Sequence, residues 1–170
     1  MRSLERAAVG TVAFFLVAPS VVAGVVPWLL TGWESGRTHA GGQAIGAVLV
    51  VVGAVVLIDA FVRFVREGRG TPAPVAPTEH LVVGGLYRYV RNPMYVAVVA
   101  LILGQALVLG RSVLYAYAAT VWATVAVFVR TYEEPTLQRQ FGGAYASYRR
   151  NVPAWRPRLR PWHPEPPEQN

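Results

Sequence analysis

Residues 8–30 form a run of 23 residues without a charged side chain. A helix that apolar has no polar face to turn toward water, and its length matches the roughly 20 residues needed to cross the hydrocarbon of a bilayer. Three more apolar runs follow. Residues 44–65 are interrupted only by Asp59 and Arg63, and residues 93–109 and 113–129 are joined by Gly110-Arg111-Ser112. The last two, at 17 residues each, lie near the lower limit for a span and read as a tight helical hairpin. The chain is 54% hydrophobic and 15% charged, against about 25% charged for an average soluble domain. These features predict an all-α integral membrane protein of about four transmembrane helices.

The first run must be weighed against a cleaved leader, because Arg2 and Arg6 precede it and residues 19–24, PSVVAG, resemble a cleavage region. The apolar run nevertheless continues through Val25, Val26, Trp28, Leu29 and Leu30, so a retained helix is expected. All sixteen basic residues are arginine. Only Arg37 and Arg111 fall in the loops after the first and third runs; the other fourteen lie near the N-terminus, around residues 63–91, or from Arg130 onward. Arginine beside apolar segments marks the cytoplasmic side, so both termini, the middle loop and the tail are expected there, in a bacterial inner membrane. That placement accounts for the basic charge without nucleic acid. Cysteine is absent, and His39, His80 and His163 are far apart, so no metal site is expected.

The organisation so predicted is two N-terminal helices (1–66), a cytoplasmic loop leading into a motif (67–92), the hairpin (93–129), a cytoplasmic closing segment (130–158) and an unstructured tail (159–170). Gly42, Gly46, Gly53 and Ala60, spaced four or seven apart, predict close helix packing along the second run. In the closing segment Leu137, Phe141, Ala144, Tyr145 and Tyr148 fall on one helical face. Such an arginine- and aromatic-rich helix suits a membrane surface. Trp155 and Trp162, set among prolines, read as interfacial anchors in an extended tail.

Two clusters carry candidate chemistry. In GLYRYVRNPMY, residues 85–95, Asn92 suits a helix cap and Pro93 the first helical position. The unpaired N–H groups of that helix start, with Arg88 and Arg91, suit an anion such as a carboxylate or phosphate. The bland alternative is that the arginines set topology and the tyrosines form an aromatic belt. After the fourth run stand Glu133 and Glu134, able to hold a cation, an amine or ribose hydroxyls. Their bland alternative is charge complementarity at the start of a helix opened by Pro135, or pairing with Arg130. Asp59, an acid inside an apolar run, is most simply the i,i+4 partner of Arg63.

Taken together, G-x-Y-R-x-x-R-N-P-M-Y, a short hairpin, E-E-P-T-L-x-x-x-F-G-x-x-Y-x-x-Y (133–148) and V-P-A-W resemble the isoprenylcysteine carboxyl methyltransferase and phospholipid N-methyltransferase superfamily of integral membrane enzymes, over about residues 80–158. The resemblance implies S-adenosylmethionine as cofactor, with Arg91, Pro93, Tyr95, Glu133 and Glu134 at its site. Asn92 stands where the carboxyl methyltransferases carry histidine. Extending this to neighbouring residues, Tyr87, Asn92, Tyr145 and Tyr148 join the expected cofactor-binding set, and Arg91 and Glu134 are the expected catalytic residues. The expected acceptor is a lipid or lipophilic small molecule. Rival readings are an NADPH-dependent membrane reductase of the steroid-reductase type and a non-enzymatic protein on the same scaffold.

Overall fold

In a computed structural model, residues 17–68 and 80–163 are described, with side chains to Arg63 in the first stretch. The start of the first apolar run, the Gly- and Pro-rich loop up to residue 79 and the last seven residues lie outside them. The described residues are helical with no strand: α1 (Val17–Thr31), α2 (Ala40–Gly68), α3 (Pro93–Leu109), α4 (Val113–Phe128) and α5 (Glu134–Asn151). A single 3-10 turn, Gly85–Arg88, precedes α3.

Two helices are long and apolar enough to cross a membrane: α2 over Ala40–Arg63, and the stretch Val113–Asn151 in which α4 runs on into α5, with a break at Gly142. Only 17% of the apolar window of each is buried, which a core helix in water would not tolerate. The open face of α2 carries Ile45, Val48, Val52, Val55 and Ile58, all more than half exposed. From Val113 to the break at Gly142 the helix is roughly 43 Å long, longer than the hydrocarbon thickness, so only part of it fits within a bilayer. The helices α1 and α3 are shorter, and the expected count of four spans is not met by length alone.

Backbone contact holds α2 to α3. A Cβ on Gly46 would lie 2.6 Å from the Gly104 carbonyl oxygen, and one on Gly104 would lie 2.8 Å from that of Gly46. Gly53 meets Ala97 and Leu101, and Ala60 is fully buried. Three of the four predicted small residues therefore do face neighbouring elements. Gly42 does not: it is covered by His39 of its own loop. The facing glycine, Gly104, sits in a run too uniformly apolar to single it out. Val98, Ile102 and Ala106 of α3 pack with Leu114 and Ala118 of α4 to form the core, against Val22 and Ala23 of α1.

Pro27 lacks an N–H, so the helix around it cannot serve all its own carbonyls. It follows a π turn, Val21–Val25, in which the Val26 N–H bonds to the Val21 oxygen. The Val22 oxygen accepts from the Tyr117 hydroxyl at 2.9 Å, and the Ala23 oxygen from Gln105 Nε2 at 2.7 Å. Those carbonyls lie five and four residues before the proline, where its missing hydrogen bond would fall. Three helices are thereby joined through backbone left open by one proline.

At the opposite end from the motif, the loop after α1 and the α3–α4 turn are stapled together. The Gly36 N–H donates to Leu109 O at 2.7 Å, and Thr38 Oγ1 donates to Leu107 O at 3.1 Å. Gly104→Val should force α2 and α3 apart, costing about 1–3 kcal/mol or more. A fall in the thermal unfolding temperature of the purified protein in detergent, set beside a smaller fall for Gly42→Ala, checks this.

Candidate functional site

The site forms where the chain enters α3 and leaves α4. Gly85 opens the 3-10 turn at φ +51, and any Cβ there would run into the Arg63 guanidinium. The positive φ favours glycine, and a larger residue would also push the flexible end of Arg63 aside. Arg63 is itself held by Asp59, with Nε 3.0 Å from Oδ2. Asp59 thus has the i,i+4 partner expected of it, and the pair supports the first residue of the motif.

Beyond this turn, Arg91 reaches from the mouth of α3 to Glu134, the first residue of α5, with Nη1 2.8 Å from Oε1. Each of these side chains is only 11% exposed. Arg91 Nη1 also donates to the Tyr145 hydroxyl at 3.0 Å. The second oxygen of Glu134 pairs with Arg149 at 3.2 Å. Beside them, the Tyr95 hydroxyl donates to Glu133 Oε2 at 3.1 Å. The two expected motifs are therefore in direct contact, with one carboxylate of the pair on a guanidinium and the other on a phenol. Arg91 Nε and Arg88 Nε are buried and find no acceptor. Buried donors are nearly always paired, so two unmet N–H groups in the motif are unusual.

The two carboxylates are not at a free helix start, as their bland reading required. The π turn Val129–Glu133 carries α4 directly into α5, and Glu133 itself has helical angles. A proline is tolerated at position 135 because the π turn ends just before it.

Asn92 is buried at the start of α3 but does not cap it. Its Nδ2 donates instead to the Ala154 oxygen at 3.1 Å, 62 residues away in sequence. The side chain is oriented by this distant carbonyl, and its Oδ1 makes no capping bond. Pro93 is fully buried as the first helical residue. Tyr87 is 7% exposed, packed against Ala60 and Val82, and its carbonyl accepts from the Tyr148 hydroxyl at 2.7 Å. Tyr145 and Tyr148 are buried with Val152, against Leu81, Val83, Leu137 and Phe141. These three rings are packed on protein, and it is the Tyr145 hydroxyl that reaches the Arg91–Glu134 pair.

The apolar face of α5 is thus covered by the protein's own chain, not laid on a membrane surface. Ala144, expected on that face, is exposed. The cause is Gly142, whose φ of 51° and ψ of −120° break the helical phase between Phe141 and Ala144. Trp162, expected as an interfacial anchor, stacks 5.6 Å from Tyr148. Trp155 contacts Trp122 of α4 at 6.4 Å, edge to face.

Residues 153–162 form a strap along the motif. Arg91 N–H donates to Pro153 O, Arg158 N–H to Tyr89 O and Trp162 N–H to Arg88 O, all at 2.9–3.0 Å. Pro153, Pro157 and Pro161 recur every fourth residue and keep this segment extended. That spacing was a legible sign of a strap. Arg149, in contrast, gave no local sign of its place beside Glu134.

Electrostatics at the carboxylates follow from burial. Glu133 is pushed above its ordinary value chiefly by burial, offset in part by the Tyr95 hydrogen bond and raised again by the Glu134 charge. Tyr145 and Tyr148 are also raised, burial again being the main cause. A raised carboxylate means that the folded state binds more protons than the unfolded one between the two pKa values. Stability contributed by Glu133 is therefore present at low pH and lost as pH rises through its folded value. Glu133→Gln should raise the unfolding temperature of the ligand-free protein at pH 7–8 and flatten its gain on acidification, as read by thermal scans across pH. Tyr148→Phe leaves the Tyr87 carbonyl without its buried donor and should cost about 1–3 kcal/mol, measurable by chemical denaturation.

No curated protein and no solved structure matches the chain. A family model does: phospholipid methyltransferase matches residues 42–144, which takes in α2, the Arg91 segment, the α3–α4 hairpin and both glutamates. With more than half of its length so matched, and with the two motifs brought together in space, the chain belongs to the phospholipid methyltransferase family.

Proposed function

We propose that the protein is a membrane-embedded, S-adenosylmethionine-dependent methyltransferase acting on a lipophilic acceptor. The observation that carries this reading is the meeting of Arg91 with Glu134, beside Glu133 and two guanidinium Nε–H donors that lack acceptors. Family membership supplies the methyl-transfer chemistry. The donor set suits this cofactor. Arg88 and Arg91 offer unmet N–H groups to a carboxylate, while Glu133 and Glu134 suit an ammonium or ribose hydroxyls and favour a nearby cationic sulfur. When bound, S-adenosylmethionine supplies a methyl group on a good leaving group, open to in-line attack.

The protein's own part is positioning. Glu134 fixes the Arg91 guanidinium from one side, Tyr145 orients it from another, and Arg149 keeps the cluster from becoming net negative. Tyr95 holds Glu133 in place. Preorganised groups of this kind lower a barrier by sparing reorganisation during the reaction. The apolar outer faces of α2 and α4 support access for the acceptor from the bilayer, and the arginine distribution supports a site on the cytoplasmic side with both termini there. No described side chain is evidently placed as a general base, which favours an acceptor that arrives already ionised or unprotonated.

Titration of the purified protein with S-adenosylhomocysteine by calorimetry should give saturable binding. Arg91→Ala should weaken it about tenfold or more, in protein that still elutes as a single folded species. Transfer of label from S-adenosylmethionine into a membrane lipid extract would identify the acceptor. Absence of binding, or binding of NADPH alone, would overturn the reading.

A further inference from the structure

The strap carries more charge than its contacts to the protein use. Arg156 and Arg160 are exposed and form no hydrogen bond or ion pair with the described residues. Between them Leu159 is completely exposed, and Arg150 is exposed at the end of α5. An apolar side chain standing fully open between two arginines suits an interface in which the leucine meets acyl chains and the guanidiniums meet headgroups.

The position of the strap agrees. Trp155 lies against Trp122, eleven residues before Glu133 in the continuous helix. That is roughly 16 Å along its axis, among the exposed apolar residues Tyr115, Trp122 and Val127. The strap therefore starts on Arg91, lays Trp155 against the apolar flank of α4 and ends on Arg88. A segment on that path, with α4 in a bilayer, passes through the headgroup layer.

We infer that the 153–162 strap docks on an anionic lipid surface through Arg156, Leu159 and Arg160, and that this docking clamps the Arg88–Arg91 segment. The coupling runs through three backbone hydrogen bonds, Arg91 to Pro153, Arg158 to Tyr89 and Trp162 to Arg88. Lipid charge that holds the strap down also holds the motif in the geometry that places Arg91 on Glu134. The inference rests on α4 crossing the bilayer; its link to the cofactor rests on the proposed function.

The test uses the full chain in nanodiscs of phosphatidylcholine alone or mixed with phosphatidylglycerol, followed by hydrogen exchange. Peptides holding the Arg91, Arg158 and Trp162 amides should exchange about tenfold more slowly in the anionic discs. High salt should erase the difference, and the double variant Arg156→Gln/Arg160→Gln should lack it while matching the unmodified protein in phosphatidylcholine. Soluble glycerol phosphate added to phosphatidylcholine discs should have no effect. Equal exchange in both discs, or equal protection by glycerol phosphate, would overturn the inference. Affinity for S-adenosylhomocysteine should rise in the anionic discs in parallel. Failure of that ligand to bind at all, with the exchange difference intact, would sink the proposed function and leave the lipid contact standing.

Discussion

The motif end of the bundle is organised around one ion pair. Arg91 stands at the mouth of α3 and Glu134 at the exit of α4, so their contact closes the hairpin. A nearly buried pair of this kind has a desolvation cost that its own attraction barely offsets, and it persists where neighbours satisfy the remaining atoms. Tyr145 takes the second bond of Arg91 Nη1, and Arg149 takes the second oxygen of Glu134. Both come from α5, beyond the Gly142 break. The ion pair therefore also decides how α5 folds back, and α5 in turn brings the strap onto the motif.

The clamp is built largely from main-chain groups. Three backbone bonds join the strap to residues 88–91, and two side chains, Asn92 and Tyr148, bond to carbonyls of the opposite segment. Main-chain bonding across two non-helical segments carries no sequence signature beyond the prolines that keep one of them extended. This is why the meeting of the two motifs was legible while the Arg91–Glu134 pair itself and its support were not. Apolar run length gave α3 with the bounds observed, and a short hairpin had to return its ends to the same level. The charged residues at those ends then had few other partners. Asn92 illustrates the opposite case. Asparagine before a proline has a strong local preference to cap, yet the Ala154 carbonyl, placed by the strap, takes its amide. It is the Asn92 side chain that is buried, and leaving its amide N–H unpaired would cost about 1–3 kcal/mol.

One device serves two different solvents in this chain. Both π turns end two residues before a proline, Val21–Val25 before Pro27 and Val129–Glu133 before Pro135. In each, the last helical N–H ahead of the proline bonds five residues back, Val26 to Val21 and Glu134 to Val129. In α1 the carbonyls that the proline leaves open belong to half-buried residues inside an apolar run, where hydrocarbon offers no donor. They are met by Tyr117 and Gln105 from two other helices. At Pro135 the corresponding residues, Arg130 and Thr131, are exposed, so solvent or headgroups can meet their carbonyls and no protein donor is required. The extra residue in the second π turn does something the first need not. It turns the following helix by roughly 100° relative to an uninterrupted α-helix, and that rotation sets which side of the continuing helix Glu133 and Glu134 occupy. The two acids meet Tyr95 and Arg91 because the backbone ahead of Pro135 is wound one residue wide, which makes the proline in E-E-P part of the site's construction although it touches neither arginine.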